Sequence, residues 1–484
     1  MTEANLPVQA EEAPPQPTDV EILKCRDDHE PVVFSSTAAP EDKQKPFRLV
    51  EGSSCSWMKQ NDPFGTEKLR PRIEPWLTAL FQSEHLSLLA GSGLTHAVHW
   101  LAQEKQLPGM ATAKFSVFKD QIESAVKESA QKADRGAGNI EDQIRVVNEL
   151  LVGLEHYAPD AMKFWGAGKL KGEIATLKKE LSVAMQDFAA SILAGENSVA
   201  IADTVKRERA VSYLVNFLMS FASRTGTRDR LQVFTTNYDR FIELGADVAG
   251  LHLIDRFVGS LTPVFRSSRL NIDMHYNPPG IRGEPRYLEG VARFCKLHGS
   301  VDWVETGEDI KRLGLPFGCE SIDPFLKAPG LSGAKVTDVM IYPNAAKDRE
   351  TATYPYVELF RDFAAAVCRP NSTLVVYGYS FGDDHINRVI RDMLTIPSTH
   401  LVIISRDDPM GRIMKTCDQI GRPAQTTLLI GKHLGDLQTL VDHYMPKPAI
   451  DKTTFKMADL LKARFDSRTT GSPDQKAESG GLSE

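Results

Sequence analysis

The chain lacks several features that would assign its class directly. Among 484 residues there are six cysteines, at positions 25, 55, 295, 319, 368 and 417, and no two form a C-x-x-C pair. Neither a zinc ribbon nor a disulfide framework is indicated, so no metal is expected and a reducing cytoplasm fits this cysteine usage. No uninterrupted apolar run approaches roughly 18 residues, the length a membrane-spanning helix needs. The Pro-rich, acidic start (Glu11, Glu12, Pro14, Pro15, Pro17) does not read as a signal peptide. Positive charge is not in excess either: 57 Lys and Arg against 64 Asp and Glu leave a net charge of -7. A concentrated basic face that would bind nucleic acid directly is therefore not expected. There is no repeat of solenoid period, and the full dinucleotide fingerprint G-x-G-x-x-G is missing because His96 stands at its sixth position.

What is present is a set of short apolar runs at strand length. These are residues 85–90, 231–236, 336–342, 372–377, 401–405 and 426–430. Several lead straight into helix-like segments, as at 95–100, 240–245, 387–394 and 436–444. Strands alternating with helices predict an α/β fold, a Rossmann-like parallel sheet with helices on both faces. Ligands of such sheets bind at the carboxyl ends of the strands.

Between residues 110 and 223 the period changes. Ile140, Ile144, Val147, Leu151 and Leu154 recur at helical spacing, as do Ile174, Leu177, Leu181 and Phe188, then Leu214, Phe217, Leu218 and Phe221. This reads as a helical insertion into an α/β domain formed by residues 46–109 and 224–450. Residues 1–45 and 466–484 are too polar and too rich in Pro, Ser and Gly to offset ordering entropy, and are expected to be flexible tails.

Four motifs stand out, three of them where strands are predicted to end. Gly91-Ser92-Gly93 joins a first strand to a first helix, where backbone amides and the helix N-terminus can cradle a diphosphate; a plain tight turn is an equal reading. Thr235-Thr236-Asn237-Tyr238-Asp239 offers an Asn able to bond a ribose hydroxyl and a water, or simply Asn and Asp as helix caps. In Lys296-Leu297-His298-Gly299-Ser300 the glycine allows a tight turn, and the imidazole can accept a proton near neutral pH. Gly378-Tyr379-Ser380, ahead of Asp383 and Asp384, is another strand-to-helix turn.

In this order the four motifs resemble the sirtuin-like domain family, especially its bacterial anti-phage defence branch, over about residues 86–408. The resemblance implies that Gly91, Ser92 and Gly93 hold the diphosphate of NAD, with Thr236, Asp239, Gly378 and Ser380 completing the binding site. Asp407 or Asp408 would bond a ribose hydroxyl. Asn237 would orient the nicotinamide ribose and a water, and His298 would accept a proton. Two things characteristic of the family's deacylases are absent: a four-cysteine zinc module and a G-I-P-D-F-R segment after the first turn. The T-Q-N motif also departs, with Thr236 in place of its glutamine. These departures move the expectation from lysine deacylation to hydrolysis of NAD into nicotinamide and ADP-ribose. Deacylation, or a module that senses NAD or ADP-ribose without turnover, are the alternatives. The resemblance further implies a gated enzyme working as a homo-oligomer, or with a partner such as a HerA-like hexameric ATPase or an Argonaute-type protein.

Overall fold

The structure, a computed structural model, describes residues 20–36, 43–107, 112–132, 136–161, 167–222, 224, 228–268, 272–276, 286–307, 309–331, 334 and 354–447. Its centre is a ten-stranded sheet. The strands are β1 (Val20–Lys24), β2 (Val32–Ser36), β3 (Phe47–Leu49), β4 (His85–Ala90), β5 (Leu231–Thr235), β6 (His252–Ile254), β7 (Val291–Lys296), β8 (Ser372–Tyr377), β9 (His400–Ser405) and β10 (Thr426–Ile430). Across the sheet they run β3-β2-β1-β10-β9-β8-β4-β5-β7-β6.

From β10 to β6 every neighbouring pair is parallel. The central strands read as continuous apolar runs because both faces are covered. Leu88 and Ala90 of β4 enter one core and Leu89 the other. On the first face lie α1 (Thr66–Phe81), α2 (Ser92–Gln103), α6 (Thr204–Ala222) and α7 (Phe241–Ala249); on the second lie α8 (Tyr356–Val367), α9 (Asp384–Met393) and α10 (Arg412–Ile420). The mixed, mostly parallel sheet with helices on both faces is the α/β, Rossmann-like architecture the strand runs predict.

The chain leaves β4 for β5 on one side and later returns to β8 on the other. The carboxyl ends of β4 and β8 therefore meet at a topological switch point, where the loops diverge and a crevice opens.

Three further helices, α3 (Lys119–Lys132), α4 (Ile140–Ala161) and α5 (Ala167–Ala200), share a separate core built on Ile122, Ile144, Val147, Leu177, Phe188 and Leu193. That core also takes in Tyr238 and Val301 from the loops above the sheet, and Val304 from a small neighbouring strand. A small antiparallel sheet of Phe257–Val258, Val264–Phe265, Trp303–Thr306 and Asp309–Arg312 stands beside β7.

The N-terminal segment corrects the compositional reading of residues 1–45 as a flexible tail. Residues 20–36 form β1 and β2, which with β3 add an antiparallel extension to β10. Average polarity concealed a local pattern: Val32 and Phe34 alternate inward. Glu21, buried in β1, is satisfied by the backbone N–H groups of His433 and Leu434 at 2.8 and 2.9 Å. The expected strand 336–342, residues 1–19 and the tail 466–484 lie outside the described residues.

Candidate active site

The turns after β4 and β8 are held together by main chain. Gly91 N–H donates to Tyr377 O and Gly93 N–H to Gly378 O, both at 2.9 Å. A Cβ on Gly93 would lie 2.5 Å from Gly378 Cα, and a Cβ on Gly378, where φ is +61°, would lie 2.6 Å from Gly93 Cα. The glycines are thus required by contact between two turns. Both amides are engaged between the two turns in this structure, which leaves neither free to meet the diphosphate that the sequence suggests for them. What the turn leaves open is exposed Ser92 and the start of α2, whose N-terminus has no side-chain cap.

The loop after β5 meets the same turn through side chains. Asn237, 8% exposed, donates from Nδ2 to Gly91 O at 2.9 Å and to Thr95 Oγ1 at 3.0 Å. Thr95 Oγ1 donates in turn to Asp239 Oδ2 at 2.5 Å. Both amide hydrogens of Asn237 are engaged, which turns its Oδ1 away from α2. Asp239 Oδ1 also accepts Phe241 N–H at 3.3 Å, so its capping role and its role in orienting Asn237 coexist. Thr236, half-buried, ties the loop to β4 by N–H to Ala90 O at 3.3 Å.

The loop after β7 locks onto the first. Tyr238 O accepts from Lys296 Nζ at 3.4 Å, Ser300 Oγ at 3.3 Å and Val301 N–H at 3.0 Å. Lys296, 2% exposed, also donates to Asp239 O and pairs with Glu243 at 3.0 Å. Burial pushes Glu243 up to about 7 against the pull of Lys296, with Asp302 adding to the rise. Gly299, at φ +85°, makes the bend.

His298, 7% exposed, places Nε2 3.4 Å from Nε2 of His385 at the start of α9, and its ring centroid lies 6.5 Å from that of Tyr238. A hydrogen bond through these atoms needs one ring to donate and the other to accept.

At the other flank, Ser380 is half-buried in the turn after β8 and Asp407 is exposed after β9. The Asp408 carboxylate accepts Ile413 and Met414 N–H groups at 2.7 and 3.1 Å, which makes it the cap of α10 and leaves Asp407 as the more available of the two. Desolvation lowers the pKa of His96 on α2, while Asp239 and Asp407 both act on it in the opposite sense.

The structure thus brings together the first turn, Asn237, Asp239, Gly378 and Ser380, and sets His298 beyond Tyr238 against His385. Sequence reasoning did not single out Thr95, Lys296 or His385. Thr95 is a buried polar residue on the inward side of α2, and Lys296 is a lysine ending an apolar strand; both were visible only as local exceptions.

A doubly wound sheet that gathers polar side chains from four loops at its switch point has the arrangement at which open α/β sheets bind their ligands. The SIR2-like domain family matches residues 231–420, a segment containing Asn237, His298, Gly378, Ser380 and Asp407. This segment is therefore similar to a SIR2-like domain, a likeness that suggests an NAD-related function. No curated protein matches the chain. Among the described residues no group of three or more His, Cys, Asp or Glu could hold a metal ion, and no helix is long and apolar enough to cross a membrane.

Proposed function

We propose that this protein is an NAD hydrolase that breaks the nicotinamide–ribose bond, giving nicotinamide and ADP-ribose. The observation carrying this reading is the setting of Asn237. Its amide is fixed by Gly91 O and Thr95, with Asp239 behind Thr95, at the crevice of a SIR2-like domain that also contains His298.

One feature supports NAD: Ser92 is exposed at the start of α2, where the helix dipole favours an anionic group such as a diphosphate. Ser380 and Asp407 would take the adenosine side. Cleavage develops positive charge on the ribose, so the site must fix the sugar and admit one water. Asn237 orients the ribose and that water. His298 accepts the proton released as water adds to the ribose carbon, and nicotinamide leaves as a neutral molecule.

The test is incubation of the purified full chain with NAD, followed by chromatography of the products. Nicotinamide and ADP-ribose formed without peptide support hydrolysis. Release that depends on an acetylated peptide would indicate deacylation, and binding without product over long incubation would indicate a sensor. Both outcomes overturn the proposal.

A hydrolase that drains NAD requires a gate. We assign the gate to assembly, as a homo-oligomer or with a partner such as a HerA-like ATPase or an Argonaute-type protein, in an NAD-depleting response to phage. An isolated monomer with full activity would contradict the gate while leaving the chemistry intact.

A further inference from the structure

Residues 237–240 send alternate side chains to opposite sides. Asn237 and Asp239 both reach Thr95 on α2. Tyr238 and Arg240 turn the other way, into the helices between α2 and β5. The Tyr238 ring packs edge-on against Phe188 of α5, with centroids 5.6 Å apart, and its hydroxyl bonds Glu141 of α4 at 3.2 Å.

Arg240 meets Glu196 of α5, which is fully buried. Glu196 Oε2 accepts from Arg240 Nη2 at 2.5 Å, while its Oε1 accepts from Nε at 3.2 Å and from the Arg240 backbone N–H at 2.7 Å. The guanidinium is completed by the carbonyls of Leu315 and Pro316 at 2.6 and 3.2 Å.

We infer that the helical block is a wall of the reaction centre, and that Glu196, acting through Arg240, is a positioning residue for Asn237. Glu196 holds the main chain itself three residues beyond Asn237, so a displacement of α5 is carried into the loop by a hydrogen bond to its backbone. A buried ion pair is a poor way to add stability, because desolvation of two charges offsets their attraction; an apolar pair of the same size would serve. What the ion pair adds is a single permitted register between α5 and the loop. The helices thereby become the route by which a distant surface can adjust Asn237.

The inference rests on the proposed cleavage of NAD, and its test separates the two. In the full chain, Glu196→Gln, Glu196→Ala and the control Leu177→Ala are compared for kcat and KM of nicotinamide release and for amide exchange of residues 236–241. Leu177 is fully buried in the same helical core.

Glu196→Ala is expected to lower kcat about a hundredfold, the scale of a displacement of about 1 Å in a positioned group. KM should stay within about twofold. Glu196→Gln keeps an acceptor for the Arg240 amide and should lose about tenfold. Leu177→Ala should lower the unfolding midpoint and keep kcat. Folded Glu196 variants with wild-type kcat, or equal loss of kcat in Leu177→Ala, overturn the inference. Should Glu196→Ala fail to fold, Glu196→Gln carries the same comparison. Should the wild type release no nicotinamide, the hydrolase reading fails and amide exchange decides. Faster exchange at 236–241 in Glu196→Gln than in Leu177→Ala supports the positioning role, and equal exchange removes it.

Discussion

Between β4 and β8 the crevice wall is main chain against main chain, whereas between β5 and β7 it is largely side chains closing on the main chain of a loop. The first wall depends on glycines that meet with no room for a Cβ. The second depends on Lys296, Thr95, Asp239 and the Arg240–Glu196 pair, each of which holds a carbonyl or an amide of the loop carrying Asn237 or orients its side chain. A wall of backbone has one shape and can only be present or broken. A wall of side chains can be adjusted, because each contact can weaken while the rest hold.

This difference can be tested, starting with the largest expected effect. Asn237→Ala and His298→Ala should each reduce nicotinamide release by about a hundred- to a thousandfold with little change in unfolding midpoint. Chromatography of the products measures the loss, and unchanged release in both variants would remove these residues from the chemistry. Gly378→Ala should do the reverse, costing about 3 kcal/mol of stability through its left-handed backbone and the contact with Gly93. Denaturant unfolding measures this; a shift of a few tenths of a kcal/mol would show that the two turns can part cheaply.

A third prediction concerns the opposite end of the strands, where neither wall lies. Burial of His400, with Lys24 nearby, lowers its pKa to about 4. The unfolded chain takes up that proton below its ordinary value of about 6.5. Stability is therefore fully present above about 6.5 and declines as pH falls toward 4, by about 3 kcal/mol for this group. Unfolding midpoints measured across that window should show the slope, and His400→Gln should reduce it, leaving the part that partly buried His433, also lowered to about 4, contributes; an equal slope in both proteins would place its origin elsewhere. The smallest effect is expected from Thr95→Val, which keeps the shape but removes the bonds to Asn237 and Asp239. The rate should fall about tenfold with KM nearly constant, and Thr95→Ser should recover most of it. A change in KM alone would mean that Thr95 serves binding rather than the orientation of Asn237.

The parallel part of the fold was legible because its strands are buried on both faces. Leu88-Leu89-Ala90 in β4 and Leu374-Val375-Val376 in β8 leave no polar residue to blur the run. β7 was missed because Arg293 and Lys296 interrupt its apolar residues, and α1 because Pro71 and Pro75 lie inside it. β1 and β2 were hidden by their surroundings: a five-residue alternation does not alter the average of a segment rich in Pro and Glu. At the site, Asn237 and His298 could be proposed because each stands in a short motif at a strand end. Glu196 could not, since its partner Arg240 is 44 residues away and no periodicity marks a buried charge among the exposed ones of a long helix.

The two borders of the main sheet, β3 and β6, are each three residues long. A border so short presents few open backbone donors and acceptors, and a foreign strand gains little by adding to it. The antiparallel hairpin that extends β10 therefore also protects the protein from aggregation, replacing what would be a long apolar parallel border with a brief one. Among the described residues, neither border of this sheet favours association of copies through shared strands.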